Sequence, residues 1–210
     1  MNQTKQNILD VALDLFSQNG FSGVSIRDIC KIVNIRESSV YYHFKNKQAI
    51  FDELLQNFET IATDLMFQLE QALTTTQKTF EGNLFEKTCN CFFEKYLMDE
   101  YCNKIMRLLS LEHFNNNEIQ KLYDHWLFDK PLDFQTKLFS SLMSMGMIQP
   151  ANSRYLAVKF YSPIFLFMQR WLFCGTLTDE CKQVFRENAY EHISNFFNEM
   201  EDNRHPLYDV

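Results

Sequence analysis

An all-α fold is predicted by three features of this 210-residue chain. Apolar residues recur at helical spacing almost throughout. Only 5 Gly and 4 Pro interrupt the pattern, too few for a protein of many turns, while 21 Phe supply bulky core material. The hydrophobic fraction of 46% against 22% charged residues marks a globular chain long enough to bury its own core without disulfides or metal. Two domains are expected: a three-helix domain over residues 1–46, and a larger helical domain over 47–210 that opens with a linking helix over 47–73.

The first helix spans about Lys5–Gln18, with Ile8, Ala12, Leu15 and Phe16 on one face and Gly20 as its stop. Ser25-Ile26-Arg27-Asp28 has the spacing of a capping box and opens a second, short helix whose inward residues are Ile26, Ile29, Cys30 and Val33. The chain then breaks at Val33-Asn34-Ile35, where Asn34 suits a residue of positive φ. A third short helix covers about Glu37–Phe44, and Asn46 caps the long helix from Lys47. The polar run Thr74–Thr79 predicts a loop. Further helices are predicted near 83–98, 101–114, 117–129 and 132–145, then 153–174 and 179–200 after breaks at Gly146, Pro150 and Gly175; the tail Glu201–Val210 is expected to fray. Pro163, inside the penultimate helix, should bend it or cost one backbone bond.

Two short helices joined by a tight turn form a helix-turn-helix, whose second helix enters the DNA major groove. At about 100° per residue, Val40 and Phe44 define the buried face of that helix. Ser38, Ser39 and Tyr42 fall opposite, Tyr41 and His43 flank them, and Lys45 lies nearby. Short hydroxyls let a helix sit deep in a groove, and Tyr carries both a hydroxyl and an apolar face for base edges. Arg27, Arg36 and Lys47 are placed for phosphates, Lys47 at a helix start that itself attracts anions. Glu37 either accepts from a cytosine amino group or caps its helix.

Charge follows the same division. The net charge of −7 argues against a general nucleic-acid coat or a binder of anionic membranes. Yet residues 1–50 hold six Lys and Arg against four acids, leaving fourteen against twenty-three in the remainder, a net of −9. The acidic body repels a duplex and leaves one basic end to face it.

Ser25-Ile26-Arg27-Asp28-Ile29-Cys30, then Val33-Asn34-Ile35, then Ser39-Val40-Tyr41-Tyr42-His43-Phe44-Lys45-Asn46-Lys47 followed by Ile50, resembles the DNA-binding domain of the tetracycline-repressor (TetR) family. Leu13, Phe16, Gly20, Phe21 and Val24 extend the match, which covers about the first 50 to 55 residues. Asn34 stands where that family commonly has Gly, and Cys30 and Val33 where small Ala is usual. The resemblance implies an all-helical homodimer on a palindromic double-stranded operator. It implies a C-terminal domain that binds a small effector and dimerises, and a linking helix whose shift releases the DNA.

For the effector, an aromatic and Met lining on the middle helices suits a small hydrophobic molecule: Phe92, Phe93 and Tyr96, then Met106, His113 and Tyr123, then Trp126, Phe139 and Met143. Acids on the same helices suit a cationic one. The apolar stripes of the last two helices (Phe160, Ile164, Phe167 and Trp171, with Val184, Ile193 and Phe196) are rich enough to predict a two-fold four-helix interface. No nucleophile–base pair, phosphate loop or metal spacing is present, so no enzyme, metal or cofactor is expected. No signal peptide is predicted, and the most apolar stretch, Phe160–Cys174, is too short and too charged to span a membrane; six Cys are read as reduced thiols in the cytoplasm. A DNA-binding regulator without a small effector, paired with a protein or acting as an activator, is the alternative reading.

Overall fold

In a computed structural model of the chain, residues 3–75 and 84–202 are described. They form ten α-helical segments: α1 (Gln3–Asn19), α2 (Ile26–Val33), α3 (Glu37–His43), α4 (Lys47–Thr75), α5 (Leu84–Phe92), α6 (Glu100–Glu112), α7 (Asn117–Asp124), α8 (Lys130–Ser144), α9 (Ser153–Phe167) and α10 (Asp179–Asp202). Wider π-helical turns continue α5 over Phe93–Leu97 and α9 over Met168–Leu172, and one over His125–Asp129 joins α7 to α8 without the predicted break. The helix α4 runs two residues past its predicted end; the rest of the expected loop and most of the expected tail lie outside the described residues.

The helix starts follow local chemistry. Asn46, Asp99, Asn116 and Asn152 each accept a backbone N–H from the first turn of α4, α6, α7 and α9, at 2.9 Å in each case, and Thr178 does so for α10 at 3.2 Å. Such a bond satisfies an amide that no helix carbonyl can reach. Ser25 and Asp28 close the predicted capping box on α2, and the two hydrogen bonds from Ser25 hold the Asp28 carboxyl below its usual range. Pro163 stays inside α9; lacking an N–H, it leaves the Lys159 carbonyl without its helical donor.

The chain folds as two compact units, residues 1–65 with 99–126, and residues 66–98 with 127–210. In the first, α1 packs against α2, α3 and α6, burying Ile8, Ala12 and Phe16 completely. Further bonds hold α6 in that unit: the Tyr101 hydroxyl donates to the Leu54 carbonyl at 2.7 Å, and Lys104 pairs with Asp14 at 2.6 Å. Burial pushes the Tyr101 phenol up to about 12, so it stays a donor at any ordinary pH. Of the residues proposed to line a pocket, Met106, His113, Tyr123 and Trp126 belong to this unit. His113 stacks on Tyr123 with centroids 4.1 Å apart, and Trp126 meets Phe58 edge-on.

In the second unit α8 packs along α9, and α10 covers α9 and its π-turn. Phe92 contacts both Phe93 and Tyr96, and Phe139 packs on Phe160 and Phe196. Met143 accepts the Ala151 N–H through its sulfur. The stripe predicted for a subunit interface therefore needs correction in part. Phe160, Ile164 and Phe196 are covered within the chain itself, so they present no surface to a second copy. Phe167, Trp171, Val184 and Ile193 are half-buried. The exposed apolar residues of α9 are instead Tyr155, Val158 and Leu166, spaced to share one face.

Asn34 is the one non-glycine residue of positive φ among those described, at φ 60° and ψ 48°, and its N–H caps α2 on the Cys30 carbonyl. Asn34→Gly should leave the denaturation midpoint nearly unchanged. Asn34→Val should lower stability by about 1–2 kcal/mol, because a β-branched side chain meets the following carbonyl there. Urea unfolding followed by circular dichroism measures both; equal midpoints for Asn34→Val and wild type would show that the turn does not depend on that conformation.

Candidate nucleic-acid interface

The turn at Asn34 decides what α3 presents. The Ile35 N–H doubles the Cys30 bond at 3.1 Å, which folds the chain back so that α3 crosses α2. Val40 and Phe44 are then buried, as the helical geometry predicts, and they fix the rotation of α3 about its axis. The opposite face is open. Tyr42 is 82% exposed and Tyr41 52%, while Ser38 and Lys45 are exposed and Ser39 and His43 half-exposed. Ser38 and Tyr42 lie four residues apart on the outermost stripe, and the His43 ring meets Tyr42 edge-on at 4.9 Å. Arg36, exposed, stands at the N-terminus of α3.

Arg27 lies on α2, and its Nε donates to Glu37 Oε1 at 3.0 Å. Glu37 thus neither caps α3 nor stands free; it holds an arginine beside the exposed face of α3. Both side chains are too exposed for the pair to add much stability, so its effect is on where the guanidinium points.

Lys47 is arranged differently from the other cations. It is half-buried, and its ammonium donates to the Phe21 and Val24 carbonyls, both at 2.7 Å, while sitting 4.2 Å above the Phe21 ring. Burial pulls its pKa below the ordinary lysine value, with Glu112 opposing that shift. Two of its three protons are therefore committed to the loop between α1 and α2, a position that the spacing of the motif alone could not show. Ser22, Gly23, Ser25, Asn46 and Tyr41 line a shallow groove with Lys47 and Arg27, joining the starts of α2 and α4 to the flank of α3. Backbone amides and cations at such a place suit phosphate oxygens. The residues brought together on this side are thus Arg27, Arg36, Ser38, Ser39, Tyr41, Tyr42, His43 and Lys45, with Lys47 behind the loop. Among the described residues no cluster of His, Cys, Asp or Glu is arranged to hold a metal ion, and no helix is long and apolar enough to cross a membrane.

A helix-turn-helix with an exposed second helix, with no strand among the described residues, defines the class: a helical DNA-binding regulator. Residues 8–54, which hold the helix-turn-helix and the start of α4, match the family description "Bacterial regulatory proteins, tetR family". Over 201 residues, 91% of this chain and 98% of the relative, it is 25% identical to the biofilm operon icaADBC negative transcriptional regulator IcaR of Staphylococcus epidermidis. It is 38% identical to the transcriptional regulator AcrR of Shigella flexneri over 68 residues, 32% of each chain. A TetR-family transcriptional regulator from Mesorhizobium loti shares the fold, with a TM-score of 0.64 and 20% identity over 93% of this chain and 96% of that one. The complex of SmeT with triclosan does so with a TM-score of 0.63 and 17% identity over 91% and 90%.

Tyr42→Ala should weaken binding to a specific site by about 1–3 kcal/mol and leave non-specific binding almost unchanged; fluorescence anisotropy on matched and scrambled duplexes measures both, and equal losses would remove Tyr42 from base contact. Lys47→Met should lower unfolding stability by about 2 kcal/mol through the loss of two charge-assisted bonds. An unchanged urea midpoint, with a binding salt slope shallower by about one unit, would instead make Lys47 a phosphate ligand.

Proposed function

We propose that the chain is a transcriptional repressor that binds a two-fold DNA operator as a homodimer and is released from it by a small hydrophobic or cationic effector. The observation that carries this reading is the exposed stripe of α3, held outward by Val40 and Phe44 and flanked by Arg27, Arg36 and Lys45. Repression is supported by the likeness to IcaR, a negative regulator, along nearly the whole of both chains.

The homodimer is supported by the exposed row Tyr155, Val158 and Leu166 on α9, an apolar face unusual for a surface helix. A two-fold operator read in successive major grooves takes two copies of α3 about 34–36 Å apart, which calls for a homodimer. The effector is supported by two orphaned polar atoms in the second unit. Gln135 is 4% exposed, and neither its Oε1 nor the buried Nε2 of Gln169 has a hydrogen-bond partner among the described residues. Leaving such an atom unpaired costs about 1–3 kcal/mol, which a ligand carrying a polar group can recover. SmeT, which has this fold and is the repressor of the Stenotrophomonas maltophilia multidrug efflux pump SmeDEF, forms a complex with triclosan. The mutual packing of Phe92 with Phe93 and Tyr96, and of Phe139 with Phe160 and Phe196, favours the second reading, a regulator without a small effector.

The experiment selects binding sites from a random duplex library with the purified chain, then measures stoichiometry by analytical ultracentrifugation. A palindromic consensus bound by one dimer is expected, and Leu166→Glu should give monomers that lose the site. Triclosan and a panel of hydrophobic and cationic compounds are then titrated into the complex. Recovery of no consensus would overturn the operator reading, and a consensus bound unchanged throughout the panel would leave the effector-free regulator.

A further inference from the structure

Glu112 is the last residue of α6, where a carboxylate is disfavoured by the negative end of the helix dipole. It is also buried, at 3% exposure, and acids are almost never buried without partners. Its partners lie ninety residues away in the loop between α1 and α2. The Ser22 N–H donates to Oε1 at 2.7 Å and the Ser22 hydroxyl donates to Oε2 at 3.0 Å. Gly20 makes the approach feasible: a Cβ there would lie 2.5 Å from Glu112 Oε1, and its φ of +74° also suits glycine. The same loop is held from its other side by Lys47 through the Phe21 and Val24 carbonyls. Three features that each run against expectation, an acid at a helix C-terminus, its burial and a side-chain-free residue beneath it, converge on one contact.

We infer that Glu112 is a positioning residue for operator recognition: its two hydrogen bonds to Ser22 tie the end of α6 to the α1–α2 loop and so set where α2 and α3 are held. This rests on the reading of the chain as an operator-binding regulator. The loop leads directly into the Ser25 cap of α2, and α2 carries the turn that aims α3. The far end of α6 is anchored independently, by Tyr101 on the Leu54 carbonyl and by Lys104 on Asp14. With α6 anchored there, its last residue is held where it meets Ser22. The two contacts to Ser22 are hydrogen bonds with a neutral residue and do not require the charge of the carboxylate. A glutamine in place of Glu112 retains both bonds, its carbonyl accepting from the Ser22 N–H and its amide donating to the Ser22 hydroxyl.

The test uses the full chain, the duplex selected with the wild type, and a scrambled duplex. Glu112→Ala should weaken specific binding roughly tenfold and leave scrambled binding unchanged, while Glu112→Gln should restore specific affinity to within about twofold of wild type. Ser22→Ala, a change at an exposed residue that keeps the chain folded, should cost about threefold, and the double variant Ser22→Ala/Glu112→Ala should be no weaker than Glu112→Ala alone. In hydrogen exchange the Ser22 amide should lose protection in Glu112→Ala and keep it in Glu112→Gln. Equal loss on both duplexes would show a merely structural role. Additive single effects, or Glu112→Gln as weak as Glu112→Ala, would also overturn the inference. Should the wild type select no duplex, the operator reading fails, while the exchange measurement still decides whether Glu112 holds Ser22.

Discussion

The loop between α1 and α2 is held by opposite charges from two sides. Lys47, at the start of α4, takes its carbonyls, and Glu112, at the end of α6, takes its amide and hydroxyl at Ser22. Neither helix is adjacent to the loop in sequence, and each ion is partly or wholly withdrawn from water. Removing Lys47 would leave the Phe21 and Val24 carbonyls unfilled, and removing Glu112 would leave the Ser22 N–H and hydroxyl unfilled, a larger penalty than either bond is worth alone. The loop is therefore a fixed point from which α2, the Asn34 turn and the outward face of α3 follow in order.

That dependence explains how an acidic chain keeps one face suited to a polyanion. The basic residues near α3 are few, so their placement counts for more than their number. Glu37 turns Arg27 along the flank of α3, and Lys47 gives most of its ammonium to the protein. Arg36 and Lys45 remain exposed on the two ends of α3. In the proposed function, phosphate affinity is modest and discrimination is assigned to the hydroxyls and rings of Ser38, Ser39, Tyr41 and Tyr42.

Much of the interface could be read from the residues themselves because its determinants are local. The capping box needs only Ser25 and Asp28 three apart, the turn only a residue tolerant of positive φ, and the outward stripe only the 3.6-residue period. The second unit was less legible. Apolar stripes on α9 and α10 look alike whether they meet each other or a second copy, and Phe160, Ile164 and Phe196 turned out to face their own chain. The π-turns were invisible to periodicity, since one extra residue per turn alters the helical phase without any Gly or Pro to mark it.

By itself, then, the sequence determined the all-α class, the starts of most helices and the rotation of α3, all of them consequences of spacing over a few residues. It also located the basic end of an acidic molecule, since charge counts need no coordinates. Only the tertiary structure decided that α6 packs on α1, that Lys47 turns inward and that Glu112 reaches Ser22. Those are contacts between segments 23 to 90 residues apart, made where a loop, a helix end and a missing side chain at Gly20 happen to meet, and no periodicity records them.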